Sequence, residues 1–218
     1  MKLPCAFFNA LLGVAWRGAD VAALLGSMAE ACVGPDQSTY ISLHAALIRL
    51  GEIEAAAAAL AEGANSGSWA MGDGAAATAT LALQEMLSAP PEGHAPPPPG
   101  SDKARREVAA AVRSALAGAD SEPTPDESAV GADDSSAPTP AKMAAMTAAE
   151  RGRRDALLYL TELAAAGVAE AQQFTIVAQG YRGAADEAQT LRSLREMVED
   201  AGVEGDSVLA RALSRRPG

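Results

Sequence analysis

Two helices joined at one glycine are predicted by residues 38–56, which read STYISLHAALIRLGEIEAA. Tyr40 and Leu43 begin an apolar series at the three- and four-residue spacing of one helix face. Gly51 ends that series, because glycine adopts the left-handed conformation at a helix C-terminus without strain. Ile53 then begins a second apolar series. The stretch therefore predicts a helical hairpin.

The same order of helix, turn and helix is predicted on both sides of this hairpin. Ser38 or Thr39 is expected to cap the helix that carries Tyr40. Gly167 and Gly202 close two helices of the C-terminal part and lie 35 residues apart, a period typical of stacked helical hairpins. The predicted helices are residues 7–16, 19–31, 40–50, 52–61, 102–116, 144–166, 174–181 and 185–201. We therefore predict an all-α protein in which helix-turn-helix repeats stack as an α-solenoid.

Composition divides the 218-residue chain into three parts. Ten of the thirteen prolines lie between residues 90 and 140, where Ser, Asp, Glu and Thr are also frequent. The proline cluster at 90–99 cannot be helical, and we expect it to be extended and solvated. Residues 120–140 bury too little apolar surface to offset their ordering entropy, so we expect disorder there. We interpret 1–66 as an N-terminal helical block, 67–142 as a low-complexity insertion with a short helix near 102–117, and 143–218 as a C-terminal helical block.

Residues 38–56 resemble a pentatricopeptide repeat. In that family an aromatic residue opens the first helix, Leu follows three positions later and Gly eleven positions later. A branched apolar residue comes two positions after the Gly, and Ala five positions after it. The matching residues are Tyr40, Leu43, Gly51, Ile53 and Ala56. The opening at residues 8–12 and the one at Phe174 are similar, whereas residues 63–142 show no repeat motif. The tetratricopeptide repeat is the alternative solenoid, but its Trp, Leu-Gly and Tyr positions are not matched here.

The resemblance implies binding of single-stranded RNA, with one base read by each repeat. In the family, the reading positions are two residues after the opening aromatic and at the end of the repeat. Carried over, they are Ala10 with Gln37, Ser42 with a partner beyond Gly63, and Ile176 with Ser207, or Val177 if the glycines set the register. Only Ser42 is a small polar residue of the kind that reads a base, and it could equally be an ordinary surface serine.

Arginines make the C-terminal block the better candidate for phosphate contact. The candidates are Arg151, Arg153, Arg154 and Arg182. Two other arginines are interpreted as parts of ion pairs on a solvated helix face, Arg192 with Glu196 and Arg195 with Glu199. The net charge of −11 argues against a general nucleic-acid binder. Residues 67–142 carry five basic and eleven acidic side chains, which is more than half of this negative charge.

The sequence indicates no catalytic chemistry. The two histidines, His44 and His94, have no partner at catalytic or metal spacing, and Cys5 and Cys32 are interpreted as helix-packing residues. Residues 72–74, Gly-Asp-Gly, are interpreted as a break rather than a dinucleotide loop, since no strand precedes them. We predict no enzyme, no metal, no cofactor and no small-molecule substrate. The sequence contains no run of eighteen apolar residues, so we predict no membrane span.

Two functions remain open at this point. The first is single-stranded RNA binding in organellar RNA processing, editing or stability, with chloroplast or mitochondrion implied only by the resemblance. The second is a non-enzymatic protein-interaction scaffold, which Ala10, Ile176 and the acidic charge favour. Because a repeat opens close to Met1 without a polar cap or a visible targeting segment, we expect the chain to be part of a longer repeat protein.

Overall fold

The computed structural model describes residues 4–15, 17–66, 73–88, 102–117, 147–205 and 207–214. In these ranges the regular structure is entirely helical, which confirms the all-α prediction. The helices are α1 (Cys5–Val14), α2 (Gly18–Glu30), α3 (Gln37–Leu50), α4 (Ile53–Asn65), α5 (Asp73–Leu87), α6 (Asp102–Ala117), α7 (Ala148–Ala165), α8 (Ala171–Gly180), α9 (Glu187–Asp200) and α10 (Ser207–Ser214). The predicted disorder of residues 120–140 and the proline cluster at 90–99 lie outside the described residues.

Reciprocal side-chain bonds fix where α3 and α7 begin. Asp36, not Ser38 or Thr39, caps α3: its carboxylate accepts from the Thr39 amide at 2.8 Å, and the Asp36 amide donates to Thr39 Oγ1 at 3.1 Å. Thr147 and Glu150 form the same arrangement at α7. Each pair satisfies amides that the first helical turn leaves without a partner. Desolvation is the largest single influence on the Asp36 carboxyl group and raises its pKa, but the hydrogen bonds together outweigh it and lower that pKa below its usual range. The bonds to Thr147 likewise lower the pKa of Glu150.

One backbone motif ends four of the helices. Gly51, Gly167 and Gly202 have φ of 73°, 71° and 61°, and the amide after each glycine donates back across the last helical turn. Cys32 occupies the same place after α2 with φ 53°, and the Val33 amide donates to the Met28 carbonyl at 2.9 Å. A residue with a Cβ atom is strained in this conformation. Because Cys32 is an exposed turn residue, its interpretation as a helix-packing residue was wrong.

The helices pack as pairs that contact the next pair. The pairs are α1 with α2, α3 with α4, α5 with α7, and α8 with α9. We call α1, α3, α5, α8 and α10 the first helices, and α2, α4, α7 and α9 the second helices. Contacts between first helices join α1 to α3, α5 to α8, and α8 to α10, while α4 contacts α7. The architecture is therefore helical and repeat-like.

The first helices α3, α5 and α8 bury equivalent positions. Tyr40 and Leu43, the residues on which the hairpin prediction depends, are 2% and 0% exposed. Helices α3 and α5 start at residues 37 and 73, and the burial pattern of α3 recurs 36 residues later in α5. The equivalent buried residues are Thr39, Leu43, His44 and Leu47 in α3, Ala75, Ala79, Thr80 and Leu83 in α5, and Gln173, Val177 and Ala178 in α8 with Tyr181 directly after it.

Helix α5 corrects two sequence interpretations. Residues 63–142 do contain a unit in register with α3, and Asp73 and Gly74, interpreted as a glycine-rich break, lie inside α5. The signal was hidden because alanine stands where the other first helices carry an aromatic residue, as Ala76 does in place of Tyr40. Since α5 packs against α7, residues 88–147 separate the two helices of one pair.

The predicted helix near 102–117 forms as α6 and packs against α2 and α4. Gly18, at the start of α2, lies so close to α6 that a Cβ atom there would be 2.8 Å from Val108 Cγ1. Val112 of α6 is fully buried in the common core. The short helix of the insertion is thus part of the packed structure.

Candidate nucleic-acid interface

The predicted base-reading residues lie on four of the first helices. Ser42 is half-buried in the middle of α3, and Gln37 is the first residue of the same helix. Ala10 is exposed on α1, which packs against α3. Ile176 is half-buried on α8, and Ser207 is exposed at the start of α10, which packs against α8. Helix packing therefore brings these residues together in two groups, one on α1 and α3 and one on α8 and α10.

Helix α5 adds a position that the sequence did not reveal. Thr78 lies 36 residues after Ser42 in the shared register, and it is half-buried. Its hydroxyl donates to the Gly74 carbonyl at 2.8 Å, which leaves the oxygen lone pairs able to accept another hydrogen bond. Asp73, the first residue of α5, holds the position that Gln37 holds in α3. In the shared register, Asp73 therefore falls beyond Gly63, where a partner of Ser42 was expected.

Ser42 and Thr78 carry the polar side chains at this predicted base-reading position, which Ala10 and Ile176 occupy in α1 and α8. Ser42 makes no side-chain hydrogen bond to any other residue that the structure describes, so its hydroxyl can donate to or accept from a ligand. Ala10 and Ile176 carry no polar side-chain atom and can offer only apolar contact. Direct reading of a base edge could therefore take place at α3 and α5.

Three of the four phosphate-contact candidates, Arg151, Arg153 and Arg154, lie in the first half of α7, and the fourth, Arg182, lies just after α8. The charges of Arg153 and Arg154 act on the buried Tyr181 hydroxyl, and Arg182 is the next residue and is exposed. Burial raises the pKa of Tyr181 to about 12, so the ring stays neutral at physiological pH. The carboxylates of Asp155 and Asp186 act on the same hydroxyl, so the cluster contains acidic as well as basic groups. Arg151, Arg153 and Arg154 are half-buried.

Small residues allow the close approach of helices beside these arginines. A Cβ atom on Gly152 of α7 would lie 2.1 Å from the Met86 carbonyl oxygen of α5. On Gly180 of α8, a Cβ atom would lie 2.6 Å from the Leu87 side chain. The end of α5 is thus inserted between α7 and α8, and this fixes the helices that carry the arginines.

The two ion pairs predicted on α9, Arg192 with Glu196 and Arg195 with Glu199, are not formed in the described structure. Within the described part of α9, Arg192 donates to the Ala188 carbonyl at 3.4 Å rather than pairing with Glu196. Arg195 donates from Nε to the Leu213 carbonyl at 3.1 Å, and also from Nη2, rather than pairing with Glu199. The Arg195 side chain thereby ties α9 to the C-terminal end of α10, where helix carbonyls lack internal partners.

His44 forms a buried hydrogen bond between two helices. Its Nε2 atom lies 2.7 Å from the hydroxyl oxygen of Tyr159 on α7, and the two side chains are 4% and 0% exposed. Burial lowers the pKa of His44 to about 4, so the imidazole is neutral at pH 7. Burial also raises the pKa of Tyr159. The hydrogen bond joins a helix of the N-terminal block to one of the C-terminal block.

The described residues contain no cluster of three His, Cys, Asp or Glu side chains that could hold a metal ion. Cys5 is half-buried with its sulfur 3.1 Å from Thr39 Oγ1, a contact between α1 and α3. His94 lies outside the described residues. Among the helices that the structure describes, none combines the length and the apolarity needed to cross a membrane. Comparison with family models, with curated proteins and with solved structures gives no match.

Proposed function

We propose that this protein binds single-stranded RNA along its first helices, as a pentatricopeptide-like solenoid would. The observation that carries the proposal is the shared register of α3, α5 and α8, which bury equivalent positions and repeat at 36 residues between α3 and α5. A ladder of equivalent helices offers equivalent positions to successive bases, which is how repeat proteins read a single strand. The organellar RNA processing implied by the sequence resemblance is the process we propose for it.

Two adjacent units are the best candidates for base reading. The register pairs Ser42 with Asp73, and Thr78 with the residue that opens α8, Ala171. A hydroxyl can donate to or accept from a base edge, so these units can discriminate bases, whereas the units of Ala10 and Ile176 can support only stacking or apolar contact. We therefore expect weak binding with a short sequence preference.

Phosphate contact is proposed for the arginines in the first half of α7 and just after α8. Arg182 is the exposed member, and the half-buried Arg153 and Arg154 act on the neighbouring Tyr181 through their charges. Because the whole chain carries a net charge of −11, these contacts must act locally. Binding should therefore weaken with salt, with a log–log slope of about 2 for three phosphate contacts.

The test is filter binding of the full chain to a random single-stranded RNA pool over a series of salt concentrations. We expect retention at low ionic strength that falls as salt rises, with a smaller salt slope in Arg182→Ala, by about 0.7 for each phosphate that the variant no longer neutralises. Arg192→Ala is the matched control, because Arg192 is also exposed but lies on the second helix α9. Absence of salt-sensitive retention, or equal effects of the two variants, contradicts the proposal.

A protein-interaction scaffold is the second candidate. The apolar side chains at Ala10 and Ile176 favour it, since a position that cannot hydrogen-bond to a base still suits a helical peptide. The acidic net charge also favours a basic protein partner over a polyanion. Failure of the full chain to retain RNA at low ionic strength would leave this candidate.

A further inference from the structure

Helix α6 takes the place of a direct contact between two second helices. At the next step along the molecule, α4 packs on α7 with no helix between them. Helices α2 and α4 both pack extensively on α6, and within the described part of the chain they make no comparable contact with each other. They therefore form the two sides of a slot that is one helix wide, which we call the α2/α4 slot.

Two valines of α6 anchor it in the α2/α4 slot. Val108 enters a notch at the start of α2, where a Cβ atom on Gly18 would lie 2.8 Å from Val108 Cγ1. Val112, about one helical turn later, is 0% exposed. Ala115 and Leu116 continue the same apolar face, because positions three and four residues apart lie on one side of a helix. The slot thus fits a helix with apolar residues at these four positions.

Charge on the neighbouring helices complements a basic residue of α6. The carboxylate of Glu54 on α4 and the guanidinium of Arg113 on α6 both act on Glu162 of α7. Burial raises the pKa of Glu162, the charge of Glu54 raises it further, and the charge of Arg113 lowers it. A basic residue directly after the second valine is therefore favoured beside these two carboxylates.

Helix α6 leaves part of the α2/α4 slot unfilled at its C-terminal end. A cavity of about 270 Å³ lies between Ala115 and Leu116 on one side and Leu25, Met28 and Val33 on the other. A larger apolar side chain at the position of Ala115 would bury apolar surface that α6 leaves open. A different helix can therefore fit this slot better than α6 does.

The helix pairs are packed without the help of α6. The pairs α1–α2, α3–α4, α5–α7 and α8–α9 each have their own contacts, and α1 also packs directly on α3. Along the chain, residues 88–101 separate α6 from α5, and residues 118–147 separate it from α7. Release of α6 from the slot would therefore separate no pair.

We propose that the α2/α4 slot is the docking site for a helix of another protein, and that α6 occupies it when this partner is absent. The partner helix carries a β-branched residue for the Gly18 notch, an apolar residue four positions later and a basic residue directly after that. Where α6 has Ala115, it carries a large apolar residue. Anchors at i, i+4 and i+7 are the pattern by which an amphipathic helix binds a groove. Because α6 is part of the same chain, the partner must compete with it at a high effective concentration.

The test adds a synthetic peptide of residues 102–117 with Ala115→Leu to the full wild-type chain. Mass spectrometry after amide hydrogen exchange distinguishes α6 of the chain from the peptide by the mass of the substituted residue. Peptide at about 1 mM, the effective concentration of a tethered segment, should reduce the protection of α6 at least tenfold, while the paired helices keep theirs. The same peptide with Val112→Glu added is the matched control and should leave α6 protected.

A complementary pair of substitutions tests the notch. In the wild-type chain, the Ala115→Leu peptide should displace α6 at a lower concentration than the same peptide with Val108→Ala. In the Gly18→Ala chain this order should reverse, because the new Cβ atom fills the space that Val108 needs. Comparing two peptides on one chain cancels any change in the docking of α6 itself.

Four results overturn the proposal. Three of them are α6 protection that persists at the highest peptide concentration, equal displacement by the Val112→Glu peptide, and the same order of the two notch peptides on both chains. The fourth is a wild-type chain that doubles its mass of 22.0 kDa without peptide while α6 stays protected. That result would indicate that α6 of a second copy fills the slot.

Discussion

Protonation of the buried His44 should destabilise the fold as the pH falls below 6.5. The imidazole has a pKa of about 4 in the folded chain because burial disfavours its charged form, against 6.5 when it is solvated. Between these two values the unfolded chain binds the proton and the folded chain does not. Folding stability is therefore complete above pH 6.5, decreases as the pH falls, and levels off near pH 4.

The magnitude follows from the separation of the two pKa values. Each pKa unit is worth about 1.4 kcal/mol, so the full loss is about 3 kcal/mol. About 2 kcal/mol of this is lost between pH 7.5 and pH 5, where the unfolded imidazole is almost fully protonated and the folded one is not. In a domain of this size that corresponds to a fall of roughly 4–8 °C in melting temperature.

The measurement is the free energy of urea unfolding at pH 7.5 and pH 5 for wild type, His44→Leu and Tyr159→Phe. Carboxyl groups such as Asp36 and Glu150 also titrate, but they are common to all three proteins and cancel in the comparison. Wild type and Tyr159→Phe should each lose about 2 kcal/mol more than His44→Leu. Tyr159→Phe should also be less stable at both pH values by about 1 kcal/mol, the worth of one hydrogen bond. Parallel pH dependence in wild type and His44→Leu would refute the reasoning.

Three further substitutions test the packing and the caps through thermal unfolding followed by circular dichroism. Gly152→Ala should destabilise by about 2–3 kcal/mol, because its Cβ atom would meet a backbone carbonyl at 2.1 Å; a melting temperature equal to wild type would contradict the close approach of α5 and α7. Cys32→Gly should stabilise by about 0.5–1 kcal/mol by relieving a positive φ, and a destabilised variant would show that the turn is not strained. Thr39→Val should cost about 1 kcal/mol through loss of the two bonds between the Thr39 hydroxyl and Asp36, and an unchanged stability would show that the hydroxyl does not contribute to the cap.

The hairpin of α3 and α4 could be predicted from sequence because its signals are local. Tyr40 and Leu43 lie on one helix face and Gly51 ends the helix, so spacing alone indicates which residues are buried. Helix α5 carries the same register with alanines such as Ala75 and Ala79, and alanine marks the buried face of a helix poorly because it occurs on every face. The pattern was therefore present but lacked the aromatic residue that made the other units visible.

Features that depend on distant contacts could not be predicted. His44 and Tyr159 are 115 positions apart, and nothing near either residue identifies its partner. The packing of α6 depends on a glycine at the start of α2 that admits Val108, a match between surfaces rather than a local pattern. In the candidate interface, Ser42 was found from the repeat motif, whereas Thr78 needed the three-dimensional register of α5.

Ultraviolet cross-linking of the full chain to a random single-stranded RNA pool, with the cross-linked peptides identified by mass spectrometry, tests the proposed RNA surface most directly. We predict cross-links in peptides from α3, α5 and α8, near Ser42, Thr78 and Ile176, which compete with unlabelled single strands and disappear at high salt. Cross-links confined to α2, α6 and α9, or none at low ionic strength, would contradict a single-stranded RNA surface on the first helices.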